Sequence, residues 1–253
     1  MILSFLFILG LAVGSFLNVL IDRLPNDQGL LGRSHCDYCK KTLQPQDLIP
    51  VFSYAFLRGR CRYCQKRLQI QYPLIELLTG VVFMLTWLSF SQGGLGYQIY
   101  TIVLISILIA MFFSDLKYQI LPDEEQLALF IVGLAYLIAT NVPIPQIAER
   151  FVLSFVAMMP LLLLFLATKG RGMGFGDVKL LFIFGFLFEL QGAFIILYVA
   201  FITGGFFGLV AILLRKTKMK SKIAFGPFLI LGAILYLFYT KYFITEFNTI
   251  LGI

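Results

Sequence analysis

Eight stretches of the chain are long and apolar: about 1–21, 73–90, 97–113, 126–140, 151–168, 178–190, 193–214 and 225–244. A helix needs about 20 apolar residues to cross the hydrocarbon core of a bilayer. Lipid offers no partner to an open backbone, so a spanning segment must satisfy its own hydrogen bonds. The fourth and sixth stretches are short. The sixth and seventh form one apolar run interrupted at Glu189 and Gln191, which predicts a tight helical hairpin. The expected fold is an all-α polytopic membrane protein with about eight transmembrane helices. Composition excludes the alternatives: 60% of the 253 residues are hydrophobic and 13% charged, against about 25% charged in a soluble domain. A disordered chain, a collagen, an ordinary soluble enzyme and a disulfide mini-protein are all ruled out. Residues 1–21 lack a basic segment before the apolar run and an A-x-A-like cleavage site, so they are expected to be a retained first span.

The twenty Lys and Arg residues test this arrangement. Nine lie in segment 22–72, from Arg23 to Arg67. The others alternate with the spans: Lys117; Lys169, Arg171 and Lys179; Arg215, Lys216, Lys218, Lys220 and Lys222. Only Arg150 and Lys241 fall on the opposite side. Basic loops stay in the cytoplasm, so both termini are expected outside and segment 22–72 inside. The net charge of +7 then marks orientation towards membrane lipid, not a nucleic-acid partner. The expected division is a first helix (1–21), a small cytoplasmic domain (22–72) and a seven-helix membrane domain (73–253). No internal repeat or low-complexity tract is apparent.

Segment 22–72 carries all four cysteines, as Cys36-Asp37-Tyr38-Cys39 and Cys61-Arg62-Tyr63-Cys64. Two C-x-x-C pairs suit tetrahedral zinc, each pair placing two thiolates on one turn. Lys40, Arg60 and Arg62 favour thiolate over thiol. Two disulfides or free thiols are the alternatives, and a reducing cytoplasm disfavours the disulfides. Four thiolates leave no open position for catalysis, so such a metal is structural. A block of about 50 residues builds little core of its own, so the metal is expected to supply folding energy.

Among thirteen acidic residues, two stand at the expected cytoplasmic edge of the membrane. Asp115 follows the third span in Ser114-Asp115-Leu116-Lys117, and Asp177 opens the sixth in Gly174-Phe175-Gly176-Asp177-Val178-Lys179. Ionisable groups at this depth usually face a bundle interior or a wet cavity. Two adjacent carboxyls do not both ionise readily, which leaves one base and one acid around a water. Gly172, Gly174 and Gly176 would let the backbone take unusual dihedrals and let a substrate strand approach. The plain alternatives are an N-cap for Asp177 and a snorkelling or capping role for Asp115. Glu76, near the start of the second span, is either a first-turn residue or a site residue. Asn18 suits a hydrogen bond between helices. The single His35, beside the first cysteine, supports no catalytic triad.

Taken in order, these strings resemble the type IV prepilin peptidase family, including its competence-pseudopilus branch. Gly14-Ser15-Phe16-Leu17-Asn18-Val19 with Arg23-Leu24-Pro25 looks like its amino-terminal motif. Arg33-Ser34 with the first cysteine pair, and Arg58-Gly59-Arg60-Cys61-Arg62-Tyr63-Cys64, look like its cysteine domain. Tyr72-Pro73 with Glu76, Asp115 with Leu121-Pro122-Asp123, the Gly174–Lys179 string and Phe225-Gly226-Pro227-Phe228 complete the set. Asp37 stands where the family often has proline.

The resemblance implies an aspartic endopeptidase of a bacterial cytoplasmic (inner) membrane. It would remove the short basic leader of prepilins and pseudopilins after a glycine on the cytoplasmic side. It would then N-methylate the new terminus with S-adenosylmethionine as donor. Asp115 and Asp177 become the catalytic pair, and Gly174, Gly176, Lys179 and Glu76 supporting or substrate-binding residues. A peptidase without methylation is one alternative; a zinc-bearing membrane scaffold or transporter is another. The acidic run Asp123-Glu124-Glu125 either charges the first turn of the fourth span or docks the basic leader against an otherwise basic face.

Overall fold

The computed structural model describes residues 1–30, 32–170, 172–214 and 224–251, with side chains described at all of these except 92, 211–212 and 241–251. Arg171, Arg215, Lys216, Lys218, Lys220 and Lys222, expected on the cytoplasmic face, lie outside the described residues, as does the Lys241 side chain. The chain forms two compact units, Met1–Ala110 and Met111–Ile253.

In the first unit, α1 (Ile2–Arg23) packs along α3 (Gln71–Ser89). The helices approach closely through glycine: a Cβ on Gly10 would lie 2.7 Å from Gly80 Cα, and one on Gly14 2.7 Å from Glu76 Cα. Small residues four apart are how helices associate where lipid is as apolar as their side chains. Asn18 adds a polar link, its Nδ2 donating to the Tyr72 carbonyl at 3.1 Å. The outward faces carry Phe5, Ile8, Phe16, Leu77 and Leu85, all exposed, as lipid-facing positions require. Between these helices the described residues of the polar segment hold only short elements: the 3₁₀ turns Leu24–Asn26 and Pro45–Leu48, α2 (Phe52–Phe56) and two isolated bridges, His35↔Thr42 and Arg60↔Arg67.

α4 (Gly94–Tyr118) begins in the first unit and ends in the second. In the second unit, α5 (Asp123–Ala139), α6 (Ile144–Thr168) and α8 (Gly226–Leu251) each pack against α7 (Phe175–Leu213). Close approach again falls at glycine: a Cβ on Gly185 would sit 2.7 Å from Ala157 Cβ of α6, and one on Gly232 2.8 Å from the Ile196 carbonyl of α7. Phe151, Phe155 and Phe182 stack edge-on between α6 and α7, with ring centroids 5.0–5.6 Å apart.

Among the described residues five helices are long and apolar enough to cross a membrane: α1, α3, α4, α6 and α7. Four of the expected spans therefore differ in form. The fourth is α5, of 17 residues. The last is apolar over Gly226–Thr240 only. The sixth and seventh run on through α7, broken at one residue, Glu189, whose φ of 62° is incompatible with helix. Its carboxylate pairs with Arg150. The third span reaches Tyr118, so Asp115 lies within the last turn of α4 and not beyond its end.

Candidate active site and metal centre

The metal centre is built from one device used twice. Cys36-x-Tyr38-Cys39-x-Lys41-x-Leu43 and Cys61-x-Tyr63-Cys64-x-Lys66-x-Leu68 are the same pattern 25 residues apart, an internal repeat where none was expected. In each knuckle the first Cys N–H donates to the lysine carbonyl, at 3.0 and 2.9 Å, and the residue after the second Cys returns its N–H to the first Cys carbonyl, at 2.9 and 3.0 Å. That residue, Lys40 or Gln65, sits at a φ of 56° or 58°, which closes the turn. The two knuckles then embrace, Lys41 lying 5.3 Å from the Tyr63 ring centroid and Lys66 4.9 Å from that of Tyr38.

The four cysteines are free, and their sulfur atoms all lie within 4.8 Å of one another, with Cys36 Sγ and Cys64 Sγ 3.9 Å apart. Sulfurs held about 2.3 Å from one tetrahedral ion would be about 3.8 Å apart. The donor set therefore fits one metal ion. Without a cation the site cannot carry four negative charges: burial pushes the Cys36 thiol up to about 11, whereas at Cys61 burial is outweighed by the N–H groups of Cys64 and Tyr63, which bring it to about 7. Asp47 braces the second knuckle, accepting from Arg62 Nε at 2.6 Å. Asp37 has a role of its own: the Tyr72 hydroxyl lies 3.2 Å from its Oδ2 and 3.0 Å from Asp22 Oδ2. One phenol so joins the first knuckle to the end of α1 and the start of α3.

Asp115 and Asp177 come together in the second unit, close enough for their charges to interact, and are 4% and 5% exposed. Asp177 is not an N-cap. It sits in the first turn of α7, and its Oδ2 accepts the Gly174 N–H at 3.2 Å, reaching back as the third residue of a capping box does. The Gly226 N–H at the start of α8 is directed at the Asp115 carboxyl. A Cβ on Gly226 would lie 2.5 Å from Asp115 Oδ2, so only glycine leaves this carboxyl its room. Asp115 Oδ2 has no hydrogen-bond partner among the described residues, which leaves it available to a reactant.

The glycines before Asp177 work by closeness, not by unusual dihedrals. Gly172, Gly174 and Gly176 all lack a positive φ; Lys169 and Gly170 hold the left-handed positions, at 51° and 70°. A Cβ on Gly176 would meet Leu121 Cβ at 3.2 Å, and Leu121 Cδ1 also lies 3.1 Å from the Cβ position of Gly226. The Leu121 turn thus wedges between the starts of α7, which carries Asp177, and α8, whose Gly226 faces Asp115. Gln126 supports it, its Nε2 donating to the Leu121 carbonyl at 3.2 Å.

The acidic run does not form one surface. Asp123 and Glu124 are exposed, and Asp123 pairs with Lys179 of α7. Glu125 is only 3% exposed, and neither of its carboxylate oxygens has a partner among the described residues. Glu76 belongs to the first unit, where its Oε2 accepts the Val51 N–H at 2.7 Å and the Ser15 side chain also bonds to it. It closes the polar segment onto α3. Gly226, Leu121, Gln126 and the knuckle repeat went unassigned in sequence; only the repeat carried a readable signal, the shared Cys-x-Tyr-Cys-x-Lys-x-Leu spacing.

Fold and site together define a multi-pass membrane protein with a buried carboxyl pair and a four-cysteine cluster that could hold a metal ion. Residues 8–90 match the bacterial peptidase A24 N-terminal domain, and residues 102–209 match the type IV leader peptidase family. Proteins named prepilin leader peptidase/N-methyltransferase are similar over nearly the whole length. That of Aeromonas hydrophila is 31% identical, covering 96% of this chain and 94% of its own. That of Pectobacterium carotovorum is 32% identical (90% and 89%), and that of Bacillus subtilis 29% (92% of each). No solved structure matches. The chain belongs to the type IV leader peptidase family.

Cys36→Ser and Cys61→Ser each remove one of four sulfur ligands. Elemental analysis of purified protein is expected to show about one metal equivalent per chain in the parent and a loss of most of it in either variant. Full retention of metal would place the ion elsewhere.

Proposed function

We propose that this protein is an aspartic endopeptidase that removes the leader of prepilins or pseudopilins and then N-methylates the exposed terminus. The observation that carries the hydrolytic half is the pairing of Asp115 and Asp177, 62 positions apart, in one buried site framed by glycine. In the proposed reaction one carboxylate takes a proton from water as its oxygen attacks the scissile carbonyl carbon. The other, as a carboxylic acid, supplies the proton that the departing amine needs when the C–N bond breaks. Asp115, Asp177 and their backbone donors would orient the water and exclude competing solvent.

The substrate geometry follows from the proposed topology. Eight crossings would put the 22–72 segment, the end of α4 and the start of α7 on the cytoplasmic side of a bacterial inner membrane, with both termini outside. A prepilin lies with its first hydrophobic helix in the bilayer and its leader in the cytoplasm, so its scissile bond would arrive at the depth of the two carboxyls. Cutting after a small glycine suits a site this crowded. In this reading the knuckle holds zinc, the borderline-soft ion that four thiolates select.

The methylating half rests on the relatives, which are named N-methyltransferases as well as leader peptidases. S-adenosylmethionine bears a sulfonium cation. A cavity of about 550 Å³ in the first unit has the volume for such a ligand, but arginines 58, 60 and 67 line it. Positive charge there opposes a sulfonium, so the donor is not assigned to that cavity and no step is derived through it.

Asp115→Asn and Asp177→Asn preserve size and remove one acid–base group. Each is expected to lower cleavage of a co-expressed prepilin by several powers of ten, about 10³ or more. The uncut substrate then acquires no N-methyl group, as mass analysis of its terminus would show, while bound metal stays at the parent level. Cleavage near the parent rate in either variant would remove that residue from the reaction.

Leader docking is proposed for Glu124, the exposed acid of the run that has no ion pair among the described residues. Glu124→Lys is expected to raise KM about threefold to tenfold for a lysine-containing leader with little change in kcat, less so in high salt. Equal effects on a leader with its lysine replaced by glutamine would leave Glu124 only the charge at a helix start.

A further inference from the structure

The two knuckles differ at one pair of positions that the repeat itself makes comparable. The bridge in the first joins His35 to Thr42; the equivalent bridge in the second joins Arg60 to Arg67. Residues directly opposite on paired strands have neighbouring side chains, and like charges there destabilise. Arg58, held at a φ of 53° beside Gly59 at 67°, adds a third guanidinium. All three line the same cavity of about 550 Å³, together with Tyr54 and Leu68. Other arginines find acceptors: Arg62 on Asp47, Arg150 on Glu189, and Arg23 on the carbonyls of Gly29 and Leu30. The side chains of Arg58, Arg60 and Arg67 have neither a hydrogen bond nor an ion pair among the described residues.

Three convergent guanidiniums without a protein acceptor call for an anion, and their planar forks fit phosphate oxygens two at a time. The surroundings say where that phosphate comes from. Phe52 and Phe56, one turn apart on α2, are 70% and 87% exposed, and Phe56 lies two residues before Arg58. Arg67 precedes by four residues the start of α3, a candidate membrane span. Exposed aromatics beside clustered arginines at the end of a span form the arrangement that binds a bilayer surface. We infer that the second knuckle is an anionic-phospholipid site, in which Arg58, Arg60 and Arg67 hold the headgroup phosphate while Phe52 and Phe56 enter among the acyl chains. The knuckle is thereby pinned to the membrane that the helices cross. The inference does not depend on the peptidase reading.

Native mass spectrometry of the full-length protein, with phosphatidylglycerol or phosphatidylcholine added, tests this directly. Arg58→Gln/Arg60→Gln/Arg67→Gln is expected to weaken phosphatidylglycerol binding by about tenfold or more, leaving phosphatidylcholine binding and metal content unchanged. Lys40→Gln on the first knuckle, at the position where the second knuckle has Gln65, is expected to change it by less than about twofold. Inorganic phosphate at about 5 mM is expected not to displace the lipid, because it lacks the acyl chains. Unchanged phosphatidylglycerol binding in the triple variant would overturn the site. So would equal losses from the two knuckles, which denote diffuse charge, and so would full displacement by inorganic phosphate, which denotes a free-phosphate site. Should the triple variant lose its metal, Arg67→Gln alone and the parent protein in rising salt serve instead. Binding insensitive both to Arg67→Gln and to a rise from about 50 to about 500 mM salt would equally refute the inference.

Discussion

Two carboxyl groups held inside an apolar helix bundle set the demands on everything around them. Lipid-facing walls give an isolated charge nothing to bind, and its cost falls only where backbone donors and a confined water can reach it. The second unit meets that demand with backbone. The N–H of Gly174 bonds to Asp177, that of Gly226 faces Asp115, and the Leu121 turn fits between the segments because Gly176 and Gly226 carry no side chain. A methyl group at either glycine would push directly on the wedge, and at Gly226 on Asp115 itself. The same features that make the pair tolerable leave Asp115 Oδ2 without a protein partner, so the site keeps chemical capacity that a purely structural ion pair would have spent.

A second constraint governs the polar segment of the first unit. It has short helical turns and two isolated bridges, and among its described residues the buried hydrophobic ones are Cys36 and Cys61. Such a segment cannot stand on apolar burial. A metal held by four thiolates supplies about 10–16 kcal/mol in small zinc-binding peptides, enough to replace a core. The duplicated knuckle is an economical way to present four sulfurs, since each turn orients two. Asp47, Glu76 and the Asp22–Tyr72–Asp37 cluster then fix the knuckles to the helix ends that flank them.

Much of this was legible in the sequence because lipid and metal impose strict local patterns. Apolar runs near span length located every long helix, and the polar interruption near Glu189 located the break in α7. Two C-x-x-C pairs identified the four cysteines that the fold gathers, and Asp115 and Asp177 were singled out by their depth at the ends of apolar runs. What stayed hidden depends on contacts between distant segments. The role of Gly226 arises only when α8 begins against Asp115, and no periodicity announces that. The glycines near Asp177 invited a reading as sites of unusual dihedrals and of close substrate approach, whereas the structure uses Gly176 for contact with Leu121. Asp123, Glu124 and Glu125 look alike in a string, but helix geometry turns Glu125 inward and leaves the first two outward. Asp37 looked like a neutral departure in the cysteine pair, and its function lies in a phenol 35 residues away.

The central claim is that the reacting carbonyl sits between Asp115 and Asp177. The most direct test is a cryo-electron microscopy structure of the full chain bound to a leader peptide whose scissile bond is replaced by a hydroxyethylene group, a mimic of the tetrahedral intermediate. The account predicts that the central hydroxyl lies within hydrogen-bond reach of both carboxyls, about 2.6–3.2 Å. A peptide bound productively with that hydroxyl away from either Asp115 or Asp177 would contradict it.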